Sequence, residues 1–129
     1  MTIAYLCILV AALLPYVWVA IAKGGGQRYD NADPRAWLTK QEQPRVRRAH
    51  AAHENAFEAF APFAAAVLMA QLADVEPARI ASLAVAFVAF RVLHGLFYVF
   101  NKPRFRSLVW LGGLICVVTL MVLAALRAA

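Results

Sequence analysis

Four long apolar stretches, separated by short polar segments, dominate the pattern of this chain. Each has between 19 and 21 residues and at most one charged side chain, which is close to the roughly 20 residues that a helix needs to cross a bilayer. The stretches are residues 2–22, 55–73, 80–100 and 107–126. They predict an all-α integral membrane four-helix bundle formed by one domain, residues 1–129, with helices at about 2–22, 45–73, 77–100 and 106–127.

The second helix is predicted to begin well before its apolar part. Helix-forming residues run without interruption from Arg45 into the second stretch. Glu76 and Pro77 are a typical opening for the third helix, and Lys102 with Pro103 is a typical end. The polar loops are therefore short, and the chemistry of the chain is expected in the helices and in two of these loops.

The composition supports contact with lipid. Hydrophobic residues make up 64% of the chain and charged residues only 16%, against about 25% charge in a typical soluble domain. This excludes a disordered chain. The formal charge of +6 is no argument for a nucleic-acid partner, because the cations are confined to a few positions.

The distribution of charge predicts the topology. Ten of the 13 Lys and Arg residues lie in or beside the first and third loops, whereas the second loop has Asp74 and Glu76 against a single Arg79. By the positive-inside bias both basic loops are cytoplasmic and both termini lie outside. We expect an integral protein of a bacterial inner membrane. The ten basic residues in or beside the first and third loops are Lys23, Arg28, Arg35, Lys40, Arg45, Arg47, Arg48, Lys102, Arg104 and Arg106.

The first span is interpreted as a helix that is kept, because no Lys or Arg precedes it and it is longer than a usual signal peptide core. Cys7 and Cys116 lie inside apolar spans and are interpreted as packing residues. The three tryptophans, Trp18, Trp37 and Trp110, are interpreted as interface anchors or packing groups.

Polar groups interrupt two of the four spans. Asn55 and Glu58 lie in the second, and Arg91 and His94 lie in the third. Measured from the cytoplasmic ends of their helices, Glu58 and Arg91 are about 15 and 16 Å deep. A lone charge at that depth is unfavourable, so the sequence predicts a buried ion pair between Glu58 and Arg91.

The spacing places these groups on one face of each helix. Asn55, Glu58 and Pro62 follow the i, i+3, i+7 pattern, and so do Arg91, His94 and Tyr98. A polar cleft with cations at its cytoplasmic rim suits a small anionic ligand beside an apolar one from the lipid. The alternative is that these groups only satisfy one another and lock the bundle.

Two other classes of site are less favoured by the sequence. His50, His53, Glu54 and His94 are possible metal ligands, but histidines three residues apart at a membrane rim are more often solvated, and no metal site is predicted. A channel or transporter requires a continuous polar path or broken helices, and the uninterrupted fourth span offers neither.

Two motifs resemble a known family. Residues 47–63 read RRAHAAHENAFEAFAPF, with an Asn, a Glu three residues later and then an aromatic-Pro-aromatic cluster. This is similar to the second-helix signature of the membrane-associated proteins in eicosanoid and glutathione metabolism (MAPEG). A second similarity, to the third helix and following loop of the family's microsomal glutathione transferases and prostaglandin synthases, comprises Arg91, His94, Tyr98, Pro103, Arg106 and Ser107.

The resemblance implies a homotrimer that binds glutathione as co-substrate at its subunit interfaces, open to the cytoplasm. By this resemblance Arg106 stabilises the glutathione thiolate, with Ser107 beside it, because a nearby guanidinium favours a thiolate nucleophile. The glutathione-binding residues that it implies are Arg48, His53, Asn55, Glu58, Arg91, His94 and Tyr98. The expected activity is that of a transferase or peroxidase acting on small apolar electrophiles or lipid hydroperoxides from the bilayer.

This chain also departs from the family's pattern. Many members that bind glutathione have an Arg four residues before the Asn and an Asp directly after it, where this chain has Ala51 and Ala56. Arg48 lies one turn earlier and can reach the same surface. The two alanines favour the alternative function, a non-catalytic lipid-binding or scaffolding trimer of the same fold.

Overall fold

A computed structural model describes residues 1–128, and this part of the chain contains five helices and no strand. Four of the helices are long and apolar enough to cross a membrane. The predicted all-α four-helix membrane bundle is confirmed, and the chain is an integral membrane protein. The helices are α1 (Thr2–Gly24), α2 (Pro34–Thr39), α3 (Pro44–Leu72), α4 (Pro77–Val99) and α5 (Pro103–Ala128).

The helices α3 and α4 each contact the other three long helices. The main partner of α1 is α3, and the main partner of α5 is α4. As the sequence predicts, α3 begins before the apolar stretch, at Pro44, whose missing N–H costs nothing at the first position of a helix.

Two apolar clusters form the core. One lies between the four long helices and contains a stacked aromatic pair, Phe63 and Phe87, with ring centroids 3.9 Å apart. The other lies near the first loop and includes Trp18, Trp37 and Val99. The outward faces of the long helices keep many exposed Leu, Ile and Val side chains, as expected for surfaces that contact lipid or further subunits.

One close helix contact depends on a glycine. The ring of Trp18 in α1 occupies the space into which a Cβ atom at Gly95 of α4 would project. Trp18 is almost completely buried, with 3% of its surface exposed, so this tryptophan is a packing group between α1 and α4.

Left-handed residues end α3 and α4 and keep the loops after them short. Asp74 has a φ of 54° and Asn101 a φ of 55°. The backbone N–H after each donates to a carbonyl five residues earlier, at 3.0 Å from Val75 and 2.8 Å from Lys102. This is the Schellman arrangement, and Asp and Asn tolerate it better than most side chains.

The first loop is folded around Trp37, which lies in the short α2. The side chain of Asp33 caps α2 by accepting a hydrogen bond from the Ala36 N–H at 3.0 Å. The Trp37 indole N–H donates to the backbone carbonyls of Gln27 and Arg28, at 3.2 and 3.0 Å. Buried Gln41 also bonds this loop. Of the two interpretations of Trp37, the structure shows packing.

Candidate functional site

A hydrogen-bond network joins the polar groups of α3 and α4. Arg91 is only 4% exposed, and its Nη2 donates to the side-chain oxygen of Asn55 at 2.7 Å and to the Asn55 backbone carbonyl at 3.1 Å. The Asn55 amide in turn donates to Glu58 Oε2 at 3.1 Å. A buried guanidinium is therefore connected to a carboxylate through one amide side chain.

The predicted direct ion pair between Glu58 and Arg91 is wrong. Within residues 1–128 the salt bridges are His50 with Glu54 and Arg79 with Glu76. Depth along the helices placed the two charges at one level but did not say what lies between them. Asn55, one helical turn before Glu58, occupies that position and hydrogen-bonds both partners.

A cavity of about 280 Å³ opens beside this network, between α3, α4 and α5. Asn55, Glu58 and Arg91 form its polar end. Its remaining lining is apolar or small: Ala59, Pro62, Phe87, Trp110, Gly113, Leu114 and Val117. Glu58 is exposed although it lies in a membrane-spanning helix. The cavity thus presents a charged end and an apolar end to the same ligand, a common arrangement in small-molecule sites.

The fourth span contributes a residue that sequence reasoning did not assign to the site. The sequence predicts an anchor or packing role for Trp110, whereas the structure places it in the wall of the cavity. The available signal was its position one helical turn after Arg106, on a helix that begins beside the end of α4. Phe87, Leu114 and Val117 gave no such signal, because they look like ordinary apolar residues of a span.

A second group of predicted residues forms a stack toward the loop that joins α4 and α5. The Arg106 guanidinium carbon lies 4.3 Å from the centre of the Tyr98 ring, a cation–π contact. The Tyr98 ring meets the His94 ring edge to face, with centroids 5.0 Å apart. His94 is buried, while Tyr98 and Arg106 are half-buried. This stack holds Arg106 against α4 while leaving its N–H donors available.

Ser107 and Arg48 are placed differently. The Ser107 hydroxyl is exposed and donates to the backbone carbonyl of Pro103, within its own helix, at 3.1 Å. Arg48 is half-buried, and its Nε atom is buried without a hydrogen-bond partner among residues 1–128. A buried donor without a partner is costly, and Arg48 does not line the cavity beside Arg91.

His53 is not brought to the Asn55 cavity. Its Nδ1 is 2.9 Å from the backbone carbonyl of Pro15 in α1, and its ring packs edge to face on Phe57 at 5.1 Å. In the part of the chain that is described, no group of three His, Cys, Asp or Glu side chains is arranged to hold a metal ion.

Comparisons with known proteins identify the family. Searches of curated proteins and of solved structures gave no match. A family model, that of the MAPEG family, matches residues 3–126. Since this match covers nearly the whole chain, the protein belongs to the MAPEG family, the membrane-associated proteins in eicosanoid and glutathione metabolism.

Proposed function

We propose that this protein is a glutathione-dependent membrane transferase or peroxidase that acts on small apolar electrophiles or lipid hydroperoxides from the bilayer. Family membership supports a membrane function related to glutathione or eicosanoid metabolism in general. The observation that favours the specific proposal is the Arg91–Asn55–Glu58 network at one end of an otherwise apolar cavity.

The proposed contacts follow from the charges of glutathione, a tripeptide with two carboxylates, an ammonium group and a thiol. Glu58 uses one oxygen for Asn55, and its remaining acceptor sites face the cavity and suit the ammonium group. Arg48, a half-buried cation near the start of α3, suits a carboxylate. Arg91 already donates to Asn55, so we assign it the role of a positioning residue.

Arg106 is the proposed catalytic residue. Its guanidinium favours the thiolate over the thiol, because an opposite charge stabilises the ionised form. In the transferase reaction the sulfur attacks an electrophilic carbon, a C–S bond forms, and the leaving group departs with its electron pair. In the peroxidase reaction the O–O bond breaks, the hydroperoxide is reduced to an alcohol, and two glutathiones are oxidised to the disulfide with release of water.

Tyr98 and His94 orient Arg106 in this proposal, because Arg106 lies over the ring of Tyr98 and Tyr98 packs on His94. Ser107 lies beside Arg106 in the sequence, and its single hydroxyl proton is donated to the Pro103 carbonyl. In this proposal the hydroxyl donates to the bound sulfur only after it turns away from that carbonyl. His53 bonds Pro15 in α1 and does not line the Asn55 cavity, so we assign it no contact with glutathione.

We also propose that the active form is a homotrimer. Residues on the outward face of α3 follow alternating steps of three and four, the spacing of a packed helix seam. Two of them, Ala61 and Ala65, are small enough for close helix approach, and Glu58 on this face favours a neighbour over lipid. The exposed residues of this face are Glu54, Glu58, Ala61, Ala65, Leu68 and Leu72.

The proposed location is a bacterial inner membrane, with the basic loops in the cytoplasm and both termini outside. The bias of Lys and Arg toward the first and third loops supports this orientation. In this orientation Arg106 and Arg48 lie on the cytoplasmic side, where glutathione is available.

Calorimetric titration with glutathione tests the proposed binding site. Glu58→Gln is expected to weaken binding about tenfold, because a charged hydrogen bond to the ammonium group is replaced by a neutral one. The matched control is Glu42→Gln, which removes an exposed carboxylate in the loop before α3 and is expected to leave binding unchanged. Equal affinities of the two variants would contradict the assignment.

A second candidate function is a non-catalytic lipid-binding or scaffolding trimer. It is favoured by the fact that Asn55 already satisfies Arg91 without a ligand and by the alanines at positions 51 and 56. For this function no glutathione binding is expected in the wild type, and the apolar part of the cavity is occupied by lipid.

A further inference from the structure

A second cavity, of about 310 Å³, lies where the end of α1 meets α2 and the start of α3. It shares no lining residue with the Arg91 cavity, and the proposed function does not use it. Its wall includes Lys23 and two histidines at one end and apolar or aromatic side chains elsewhere: Tyr16, Val19, Ala22, Tyr29, Pro34, Trp37 and Leu38.

The cationic end of this cavity is held in place by packing. The Lys23 ammonium group lies 4.1 Å from the centre of the Tyr29 ring. That ring packs edge to face on Trp37 with centroids 5.1 Å apart, and Trp37 is fixed by its hydrogen bonds to loop carbonyls. A cation–π contact positions a lysine without neutralising it, so the positive charge remains available to an anion.

The histidines add hydrogen-bonding capacity beside Lys23. A carbonyl can only accept, so the bond to Pro15 requires the proton of His53 on Nδ1. The other nitrogen of a neutral His53 ring is then an acceptor, which suits a hydroxyl group. His50 lies 5.5 Å away, ring to ring, and bonds exposed Glu54 at 3.3 Å. Among the described residues, no carboxylate lines the cavity.

The apolar end opens toward the bilayer. Tyr16 is 58% exposed on the outward face of α1, and it lies about 10 Å along the helix from Lys23 at 1.5 Å per residue. Lys23 occupies the last turn of this membrane-spanning helix, which is the level of lipid headgroups. A ligand in this cavity therefore meets two polar groups at the rim, the Lys23 cation and the His53 nitrogen that can accept a hydrogen bond from a hydroxyl. Deeper in the span it meets an apolar wall.

We propose that this cavity is a binding site for an anionic glycerophospholipid. The phosphate lies beside Lys23, a headgroup hydroxyl donates to His53, and an acyl chain follows Val19 and Tyr16 into the bilayer. A free phosphate ester shares the headgroup chemistry, but it leaves the apolar wall unoccupied. The lipid is therefore the ligand that uses the whole cavity.

Native mass spectrometry of the detergent-purified protein tests this site. The probes are phosphatidylglycerol, phosphatidylcholine and glycerol phosphate, which has the headgroup without the acyl chains. We expect phosphatidylglycerol to bind more tightly than both others. Lys23→Gln is expected to weaken its binding about fivefold, the factor for about 1 kcal/mol per cation at a membrane surface, and Lys102→Gln in the other basic loop is the matched control.

A cavity-filling pair tests the position of the site without changing charge. Val19→Trp places a large ring in the cavity and is expected to remove binding of phosphatidylglycerol, whereas Val17→Trp changes an outward residue of the same helix that does not line it. Three outcomes would each overturn the proposal. The two phospholipids could bind equally, or Lys23→Gln and Lys102→Gln could have equal effects. Glycerol phosphate could also bind as tightly as phosphatidylglycerol. None of these outcomes depends on glutathione binding.

Discussion

The link through Asn55 makes a quantitative prediction about which pair of residues is energetically coupled. Arg91 donates to the Asn55 side chain at 2.7 Å, but it has no salt bridge to Glu58, since the salt bridges of residues 1–128 are elsewhere. The perturbations are Asn55→Ala, Glu58→Ala and Arg91→Met, singly and in pairs. We expect Asn55 to be coupled to Arg91 more strongly than Glu58 is.

The magnitude follows from the type of hydrogen bond. Side-chain hydrogen bonds between membrane helices average about 0.6 kcal/mol in double-mutant cycles and reach about 1.7 kcal/mol. A short bond from a charged donor lies at the upper end, so we expect a coupling of about 1.5 kcal/mol between Asn55 and Arg91. Asn55→Ala alone is expected to lower the free energy of unfolding by about 2–3 kcal/mol, because it also removes the bond to Glu58.

The assay is reversible unfolding in mixed micelles with increasing sodium dodecyl sulfate, followed by circular dichroism. Gln71→Ala is the control on the same helix, since it removes an exposed neutral hydrogen bond from Tyr5 and is expected to cost less than about 1 kcal/mol. A coupling between Glu58 and Arg91 that exceeds the coupling between Asn55 and Arg91 would show that the two charges interact directly and not through Asn55.

Three further changes have defined outcomes. Gly95→Ala is expected to destabilise the bundle by about 1–3 kcal/mol, because the new methyl group collides with Trp18. The control is Gly24→Ala, where nothing lies within 4 Å of the new methyl group. Equal melting temperatures of the two variants would contradict this packing. Trp37→Phe removes two hydrogen bonds to loop carbonyls. Amide hydrogen exchange of the first loop is therefore expected to become at least tenfold faster. Unchanged exchange would show that these bonds do not order the loop. Trp110→Ala enlarges the apolar end of the cavity, so KM for the apolar substrate is expected to rise several-fold while glutathione affinity stays constant. If the variant bound both the apolar substrate and glutathione more weakly, Trp110 would have another place in the mechanism.

Much of the fold could be predicted from the sequence because the spans differ so strongly from the loops in hydropathy. The structure of the first loop could not be predicted in this way. The burial of Trp37 depends on contacts with loop carbonyls and with α1 and α3. Local propensity does not contain such contacts.

The candidate site could be predicted in part for a similar reason. Helical spacing placed Asn55, Glu58 and Arg91 on facing stripes, and the structure brings these three side chains to one cavity. Spacing gives the height of a residue and the face on which it lies, but not the order of side chains across an interface. Only the packed helices of the structure show that Asn55 lies between Arg91 and Glu58 and that Trp110 lines the cavity.

Ultraviolet difference absorbance detects whether glutathione is ionised beside Arg106. The detergent-purified protein is titrated with glutathione at neutral pH and the thiolate band is recorded for wild type, Arg106→Ala and Arg104→Ala, which removes an exposed cation from the same helical turn. We expect a saturable thiolate signal in the wild type and in Arg104→Ala that disappears in Arg106→Ala. A wild type without a thiolate signal, or an Arg106→Ala variant that keeps it, would show that Arg106 does not activate glutathione.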